Sequence, residues 1–209
     1  MIGIFGGTFD PVHNGHLITL EFVHRALSLE CIFLIPLGQA VHREQPFANA
    51  EYRFEMLLLA VAHNRDFVVD DREIRKKAPS YTVDTLTSYR KEMPHLPIAF
   101  IVGSDAFNHF HEWHKPDRIL ELANLVVMQR PGHPIDNNET TLELLETHAC
   151  SSHREFIQSP AGKILPLEVP QMDISSSDIR RQIHNGEDIS EYVPEAVARL
   201  VRLHRLYSD

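Results

Sequence analysis

Short apolar runs alternate with amphipathic segments along most of the chain. An apolar run that ends at Gly or Pro is typical of a buried strand, whereas apolar residues three and four apart are typical of a helix. The runs predict strands over residues 1–5, 31–35, 67–69, 98–102, 125–128 and 163–169.

The amphipathic segments between these strands predict helices. The first has the apolar residues Leu17, Leu20, Val23 and Leu27 on one face, directly after the first strand. Asn49 is a candidate N-cap for the next helix, with an apolar stripe formed by Phe54, Leu57, Leu58, Val61 and Ala62. Residues 37–48 between them form a loop. Further helices are expected at 81–92, at 139–148, from a capping box at 175–178 to about 185, and at about 193–201.

Strands that alternate with helices indicate βαβ units. We therefore expect an α/β fold of the Rossmann-like, doubly wound kind, with a mainly parallel sheet and helices on both faces. The length of 209 residues suits a single domain over 1–209, with a small C-terminal helical part at about 175–209. Ligands of such sheets bind beyond the carboxyl ends of the strands, which is where the candidate residues below fall.

Composition narrows the possible functions. The net charge of −9 argues against bulk binding of DNA or RNA, and it means that any anionic ligand needs local positive potential. Two cysteines, Cys31 and Cys150, are too few for a disulfide framework and indicate a reducing compartment. Because no apolar stretch approaches the roughly 20 residues that span a bilayer and no signal peptide is evident, we expect a cytoplasmic protein without a membrane partner.

Residues 3–16, GIFGGTFDPVHNGH, are the most informative stretch. A strand, a glycine turn and a helix start bring backbone N–H groups close to a phosphate, and Gly6 and Gly7 have no Cβ to obstruct that approach. His13 and His16 share one face of the first helical turn, so both rings can reach the same anion. We predict a nucleotide phosphate site here. The alternatives are a tight turn with surface histidines, or a metal site formed by Asp10 and the two histidines.

A second candidate phosphate site lies at residues 174–180, ISSSDIR. A helix N-terminus supplies unpaired N–H groups and a partial positive charge, the serines add hydroxyl donors, and Arg180 adds a guanidinium fork that suits phosphate. An ordinary capped surface helix is the alternative interpretation of the same residues.

The two stretches together resemble a known family. GGTFDPVHNGH resembles the first signature of the HxGH nucleotidyltransferases and is most similar to that of the bacterial nicotinate mononucleotide adenylyltransferases, and ISSSDIR resembles their second signature. The resemblance implies transfer of AMP from ATP to nicotinate mononucleotide, giving deamido-NAD and pyrophosphate by direct in-line attack without a covalent intermediate. Mg²⁺ would arrive with ATP, and the sequence shows no dedicated carboxylate cage for it.

The resemblance also implies roles for single residues on the ATP side. Thr8 and Phe9 join the two glycines in a cradle for the triphosphate, with His13 and His16 as catalytic residues. Ser176 and Arg180 hold the β- and γ-phosphates. The ATP-side set also includes His42 and Arg43 in the loop after the second strand, Gly103 and Asp105 after a later strand, and Arg130 at the adenine edge.

For the acceptor, the segment around Tyr81 and Thr82 resembles the part of the family that binds the pyridine carboxylate. Ser80 or Thr82 is expected to cap a helix there, and N–H donors favour a carboxylate over an amide. Trp113 is expected against the pyridine ring, and His114 stands where relatives often have Tyr.

Other functions are compatible with the sequence. The acceptor could be nicotinamide mononucleotide or phosphopantetheine, or the chain could be a nucleotide sensor without catalysis. The histidines His109, His111 and His114 suggest a third possibility, a zinc-binding protein.

Overall fold

The computed structural model describes residues 1–39, 45–76, 78–129, 132, 134–150, 152–170 and 172–208. Three residues predicted to contact ATP, His42, Arg43 and Arg130, lie outside these ranges.

Within the described residues, six strands form one parallel sheet in the order β3-β2-β1-β4-β5-β6. This order is that of the Rossmann fold, so the predicted fold class is confirmed. The strands match the predicted runs to within two residues at each end. They are β1 (Ile2–Gly7), β2 (Ile32–Pro36), β3 (Phe67–Val69), β4 (Ile98–Gly103), β5 (Asn124–Gln129) and β6 (Ile164–Glu168).

Apolar side chains alternate between two cores, one on each face of the sheet. In β4, Ala99 and Ile101 pack into one core, whereas Ile98, Phe100 and Val102 pack into the other. Because successive side chains of a strand point to opposite faces, a run that is apolar throughout must be covered on both sides. Helices provide that cover, as the sequence predicts.

The helices connect the strands and continue after the last one. They are α1 (Asn14–Leu27), α2 (Ala50–Val61), α3 (Arg72–Arg75), α4 (Thr82–Glu92), α5 (Ser104–Phe107), α6 (Pro116–Leu122), α7 (Glu139–His148), α8 (His153–Gln158), α9 (Ser176–His184) and α10 (Glu195–His204), with a 3₁₀ turn at Phe110–Glu112. Within the described ranges, none is long and apolar enough to cross a membrane.

Two predicted caps are confirmed and one is wrong. Asn49 Oδ1 accepts a hydrogen bond from the Tyr52 N–H at 2.9 Å, and Ser175 Oγ accepts one from the Asp178 N–H at 3.1 Å. At α4 the N-cap is Tyr81, without a side-chain cap, so neither Ser80 nor Thr82 has the expected capping role.

The buried stripe of α2 also differs from the prediction. Leu58 is 45% exposed, whereas Arg53 is only 1% exposed. Arg53 is buried because its guanidinium donates to three backbone carbonyls, a compensation that periodicity does not reveal.

Candidate active site

A cavity of about 1090 Å³ lies beyond the carboxyl ends of β1 and β4. These two strands are the point at which the sheet order reverses, where ligands of such sheets bind. The volume is at the upper end for a ligand pocket, so two nucleotide-sized molecules could share it. The predicted residues that line it are Gly6, Gly7, Thr8, His13, His16, Tyr81, Thr82, Gly103, Asp105, Trp113, His114 and Ser176.

The two signature stretches meet at this cavity although they are far apart in the chain. Thr8 from the first and Ser176 from the second both line its wall. The Ser176 hydroxyl donates to the carbonyl of Pro11 at 2.9 Å, which ties the start of α9 to the segment that leads into α1.

His13 and His16 form a stacked pair at the start of α1. Their ring centroids are 3.7 Å apart, and the rings are tilted by 30°. The backbone N–H of His13 donates to Nδ1 of His16 at 3.3 Å. Since Nδ1 accepts, the neutral ring of His16 has its proton on Nε2. The His16 ring also rests on the edge of Phe9, with centroids 5.3 Å apart, so its orientation is fixed by packing as well.

Gly6 leaves the cavity floor open at the end of β1. A Cβ built on Gly6 would meet no protein atom within 4 Å, although the residue lines the cavity. The space is therefore available to a ligand, and the backbone of the turn can be approached closely.

Helix N-termini supply partial positive charge at the cavity. Thr82 and Ser176, the first residues of α4 and α9, line the wall together with Gly15 and His16 from the first turn of α1, so three helix N-termini lie at the same space. Among the described residues, no Lys or Arg lines it. Local N–H groups thus offset the net charge of −9 where an anion would bind.

The opposite part of the wall is aromatic. Tyr81 and His114 stack with ring centroids 4.4 Å apart. Trp113 is held by Phe110 and Phe100, at centroid distances of 5.6 Å and 6.1 Å. Tyr81 is the N-cap residue of α4, so the Tyr81–His114 pair lies beside the first N–H groups of that helix, and both rings line the cavity together with Trp113.

Comparison with known proteins identifies the family. The family model described as cytidylyltransferase-like matches residues 4–182. The chain is 41% identical to a probable nicotinate-nucleotide adenylyltransferase of Yersinia pestis (strain Pestoides F), over 99% of this chain and 95% of that protein. The chain belongs to the cytidylyltransferase-like family of nucleotidyltransferases. Within that family it groups with the nicotinate-nucleotide adenylyltransferases.

Further comparisons agree. A probable nicotinate-nucleotide adenylyltransferase of Shigella boydii serotype 4 (strain Sb227) is 39% identical over 98% of this chain and 97% of that protein. The fold matches that of the nicotinic acid mononucleotide adenylyltransferase of Plasmodium falciparum solved with APC. The TM-score is 0.74 at 19% identity, over 99% of this chain and 96% of that one.

Two predicted site residues of this nucleotidyltransferase do not line the cavity. Phe9 is only 2% exposed and its ring packs in the core, so its place in the triphosphate cradle stays a prediction that only its backbone could fulfil. Arg180 donates from Nη1 to the carbonyl of Asp10 at 2.6 Å, and its guanidinium carbon lies 4.6 Å from the centre of the Phe47 ring. These contacts tie Arg180 to the segment around Asp10 and to Phe47, and its role at the β- and γ-phosphates stays a prediction.

The candidate metal ligands make other contacts. Asp10 is buried, and its carboxylate accepts from the N–H groups of Phe47 and Ala48 and from the Tyr207 hydroxyl. His109 and His111 both contact the Glu112 carboxylate, at 3.4 Å and 3.6 Å. In the described part of the chain, no group of three His, Cys, Asp or Glu residues is placed to hold a metal ion.

Two polar residues at the site escaped the sequence analysis. Arg53 donates to the carbonyls of Thr8 at 2.8 Å and Leu37 at 2.7 Å, and burial lowers the pKa of its guanidinium. Glu73 lines the cavity and accepts from the Thr85 hydroxyl at 2.6 Å. Burial raises the pKa of the Glu73 carboxyl above its ordinary value. Neither residue belongs to a motif. Arg53 lies four residues before Leu57 on the apolar stripe of α2, but a charged side chain gives no reason to expect burial there.

Proposed function

We propose that this nucleotidyltransferase transfers AMP from ATP to nicotinate mononucleotide, giving deamido-NAD and pyrophosphate. One observation is the main support: a single cavity joins the glycine turn and histidine pair to the aromatic pocket at the start of α4. The names of the relatives agree with this proposal, as do the Plasmodium falciparum structures, solved with APC and with NaAD.

ATP would lie with its phosphates between the Gly6-Gly7 turn and the N-terminus of α9. His13 and His16 face this space and can donate to the α-phosphate and to the departing pyrophosphate, as can the backbone N–H groups at the start of α9, where Ser176 lies. Asp105, after β4, would accept from a ribose hydroxyl. Mg²⁺ would enter with ATP and offset the charge on its phosphates.

The acceptor would place its pyridine ring in the aromatic pocket. Trp113 and Tyr81 offer flat surfaces for the ring, and the N–H groups at the start of α4 suit a carboxylate. A carboxamide presents donors to these same groups and has no negative charge, so nicotinate mononucleotide should be preferred over nicotinamide mononucleotide.

The chemical step would need no protein nucleophile. The attacking atom is a phosphate oxygen that is already ionised near neutral pH, so aligning it with the α-phosphorus is the main requirement. The proposed mechanism is therefore direct in-line attack with pyrophosphate as the leaving group and no covalent enzyme intermediate.

Steady-state assays of pyrophosphate release with each mononucleotide test this function. We expect turnover that depends on both ATP and nicotinate mononucleotide, with a lower kcat/KM for the amide. A preference for the amide would contradict the assigned acceptor. Binding of ATP without pyrophosphate release would indicate a sensor instead, and zinc in stoichiometric amount in the purified protein would favour the metal-binding alternative.

A further inference from the structure

The turn between β1 and α1 is held in a costly conformation. Phe9 has φ of +52°, in the left-handed region that a bulky residue rarely adopts, while its ring is buried. Such a conformation persists only where the surroundings fix it from several sides. The turn also sets the position of His13 relative to the glycines, so its anchors determine the geometry of the phosphate site.

The principal anchor is the buried carboxylate of Asp10, which is 3% exposed. Its Oδ2 accepts from the Phe47 N–H at 2.7 Å, and its Oδ1 accepts from the Ala48 N–H at 3.1 Å. The hydroxyl of Tyr207 donates to Oδ1 at 2.6 Å. Tyr207 follows α10 and lies 197 residues from Asp10 in the chain, so this contact exists only in the folded protein.

Arginines hold the carbonyls around Asp10. Arg53 binds the carbonyl of Thr8, and Arg180 binds that of Asp10 itself. These arginines fix the backbone on both sides of Phe9, whereas Tyr207 is the one side chain in the described residues that donates to the Asp10 carboxylate. Without its hydroxyl, a buried carboxylate would lose one of its closest donors.

We propose that Tyr207 is a positioning residue for the phosphate site. Its hydroxyl fixes Asp10, and through Asp10 it sets the turn that places His13 and His16 against the glycines. Burial, followed by the nearby Asp10 charge, raises the pKa of Tyr207 far above its ordinary value, so the hydroxyl remains a donor throughout the working pH range. The expected effect of Tyr207 on kcat rests on the function proposed above, whereas its expected effect on the positions of His13 and His16 does not.

Tyr207→Phe tests the proposal, with Tyr52→Phe as the matched control. The Tyr52 hydroxyl also forms a hydrogen bond, with Nδ1 of His204 at 3.1 Å, which joins α2 to α10. Tyr52 does not contact Asp10. We expect Tyr207→Phe to lower kcat per folded molecule about tenfold, with KM for both nucleotides near wild type. Tyr52→Phe should retain the wild-type kcat. Both enzymes are assayed well below their melting temperatures, so that loss of folded protein is not counted.

A second readout does not depend on turnover. ¹⁵N signals of the histidine rings report their tautomers and surroundings, and we expect Tyr207→Phe to move those of His13 and His16. Tyr52→Phe should move the signal of His204 alone. The proposal is overturned if the His13 and His16 signals of Tyr207→Phe stay at wild-type positions, or if its kcat per folded molecule is unchanged. If the wild-type protein does not use nicotinate mononucleotide, the assigned function fails, and the ring signals alone decide the positioning role.

Discussion

At the scale of single residues, His16 has the geometry that bears most directly on the chemistry. The hydrogen bond from the His13 N–H to Nδ1 leaves Nε2 as the donor of the neutral ring, and Phe9 packs against its face. A donor held in this way loses little freedom when the phosphate charge develops, so its interaction should be strongest in the transition state.

We therefore expect His16→Ala to lower kcat by about 100- to 1000-fold, with a much smaller rise in the KM for ATP. Steady-state kinetics over a range of ATP concentrations measure both constants. His63→Ala, an exposed histidine outside the cavity, is the control and should behave as wild type. A variant of His16 that changes only KM would contradict a transition-state role.

Glu73 gives a second prediction at this scale, from the sign of its pKa shift. Burial raises its pKa in the folded state, so its contribution to stability is fully present below the unfolded value of about 4.3 and is lost as pH rises through the folded pKa. Gln does not titrate. The melting temperature of Glu73→Gln relative to wild type should therefore increase between about pH 4 and about pH 7.

Melting curves across this pH range measure the effect, and Glu143→Gln on an exposed part of α7 is the control. A constant difference in melting temperature between Glu73→Gln and wild type over the whole range would show that Glu73 does not titrate as the structure indicates.

At the scale of elements, the two halves of β1 have different surroundings. Its first half is packed on both sides by the cores, whereas its last residues form the cavity floor. Two of its glycines differ accordingly. A Cβ on Gly3 would lie 2.9 Å from Ile32 Cγ1 and from Leu29 Cδ1, while a Cβ on Gly6 would meet no protein atom within 4 Å.

This difference predicts opposite phenotypes for one substitution. Gly3→Ala should lower the free energy of unfolding by about 1–3 kcal/mol through overpacking, with an unchanged KM for ATP. Gly6→Ala should keep wild-type stability but raise the KM for ATP about tenfold, because the added methyl group would occupy the space in which we propose that a phosphate of ATP binds. Urea denaturation and steady-state kinetics measure the two effects. Equal effects of both substitutions on KM would argue against a phosphate at Gly6.

At the scale of the whole molecule, the reversal of strand order at β1 and β4 places the site. The chain leaves β1 and β4 toward opposite sides of the sheet, which opens a crevice at the carboxyl ends of these two strands. The N-termini of α1, α4 and α9 converge on this crevice from separate parts of the chain. A ligand there would contact elements from both halves of the sheet and should stabilise the folded molecule.

Thermal unfolding with each mononucleotide tests this expectation. At a concentration about 100 times its Kd, nicotinate mononucleotide should add about 2.7 kcal/mol of stability, a rise in Tm of about 5–10 °C for a chain of this size. Nicotinamide mononucleotide at the same concentration should give a smaller rise. Equal shifts would indicate that the pocket does not distinguish the carboxylate from the amide.

The sequence by itself determined the order and approximate bounds of the strands and longer helices, because apolar periodicity and capping are local properties of neighbouring residues. It also located part of the cavity wall, since Gly6, His13 and Ser176 belong to contiguous motifs at strand ends and helix starts. The shorter helices α3, α5, α6 and α8 were missed because each spans two turns or fewer and so has no readable period.

Only the tertiary structure decided which of these side chains line the cavity and which pack or bond outside it. Arg180 and Phe9 belong to the motifs but lie outside the cavity, and Arg53, Glu73 and Tyr207 are part of the site without any motif. The reason is that their hydrogen-bond partners lie far away in the sequence. Arg53 binds a carbonyl 45 residues away, Arg180 one 170 residues away, and Tyr207 a carboxylate 197 residues away. No local pattern encodes contacts over such separations, and they form only when the folded chain brings both groups together.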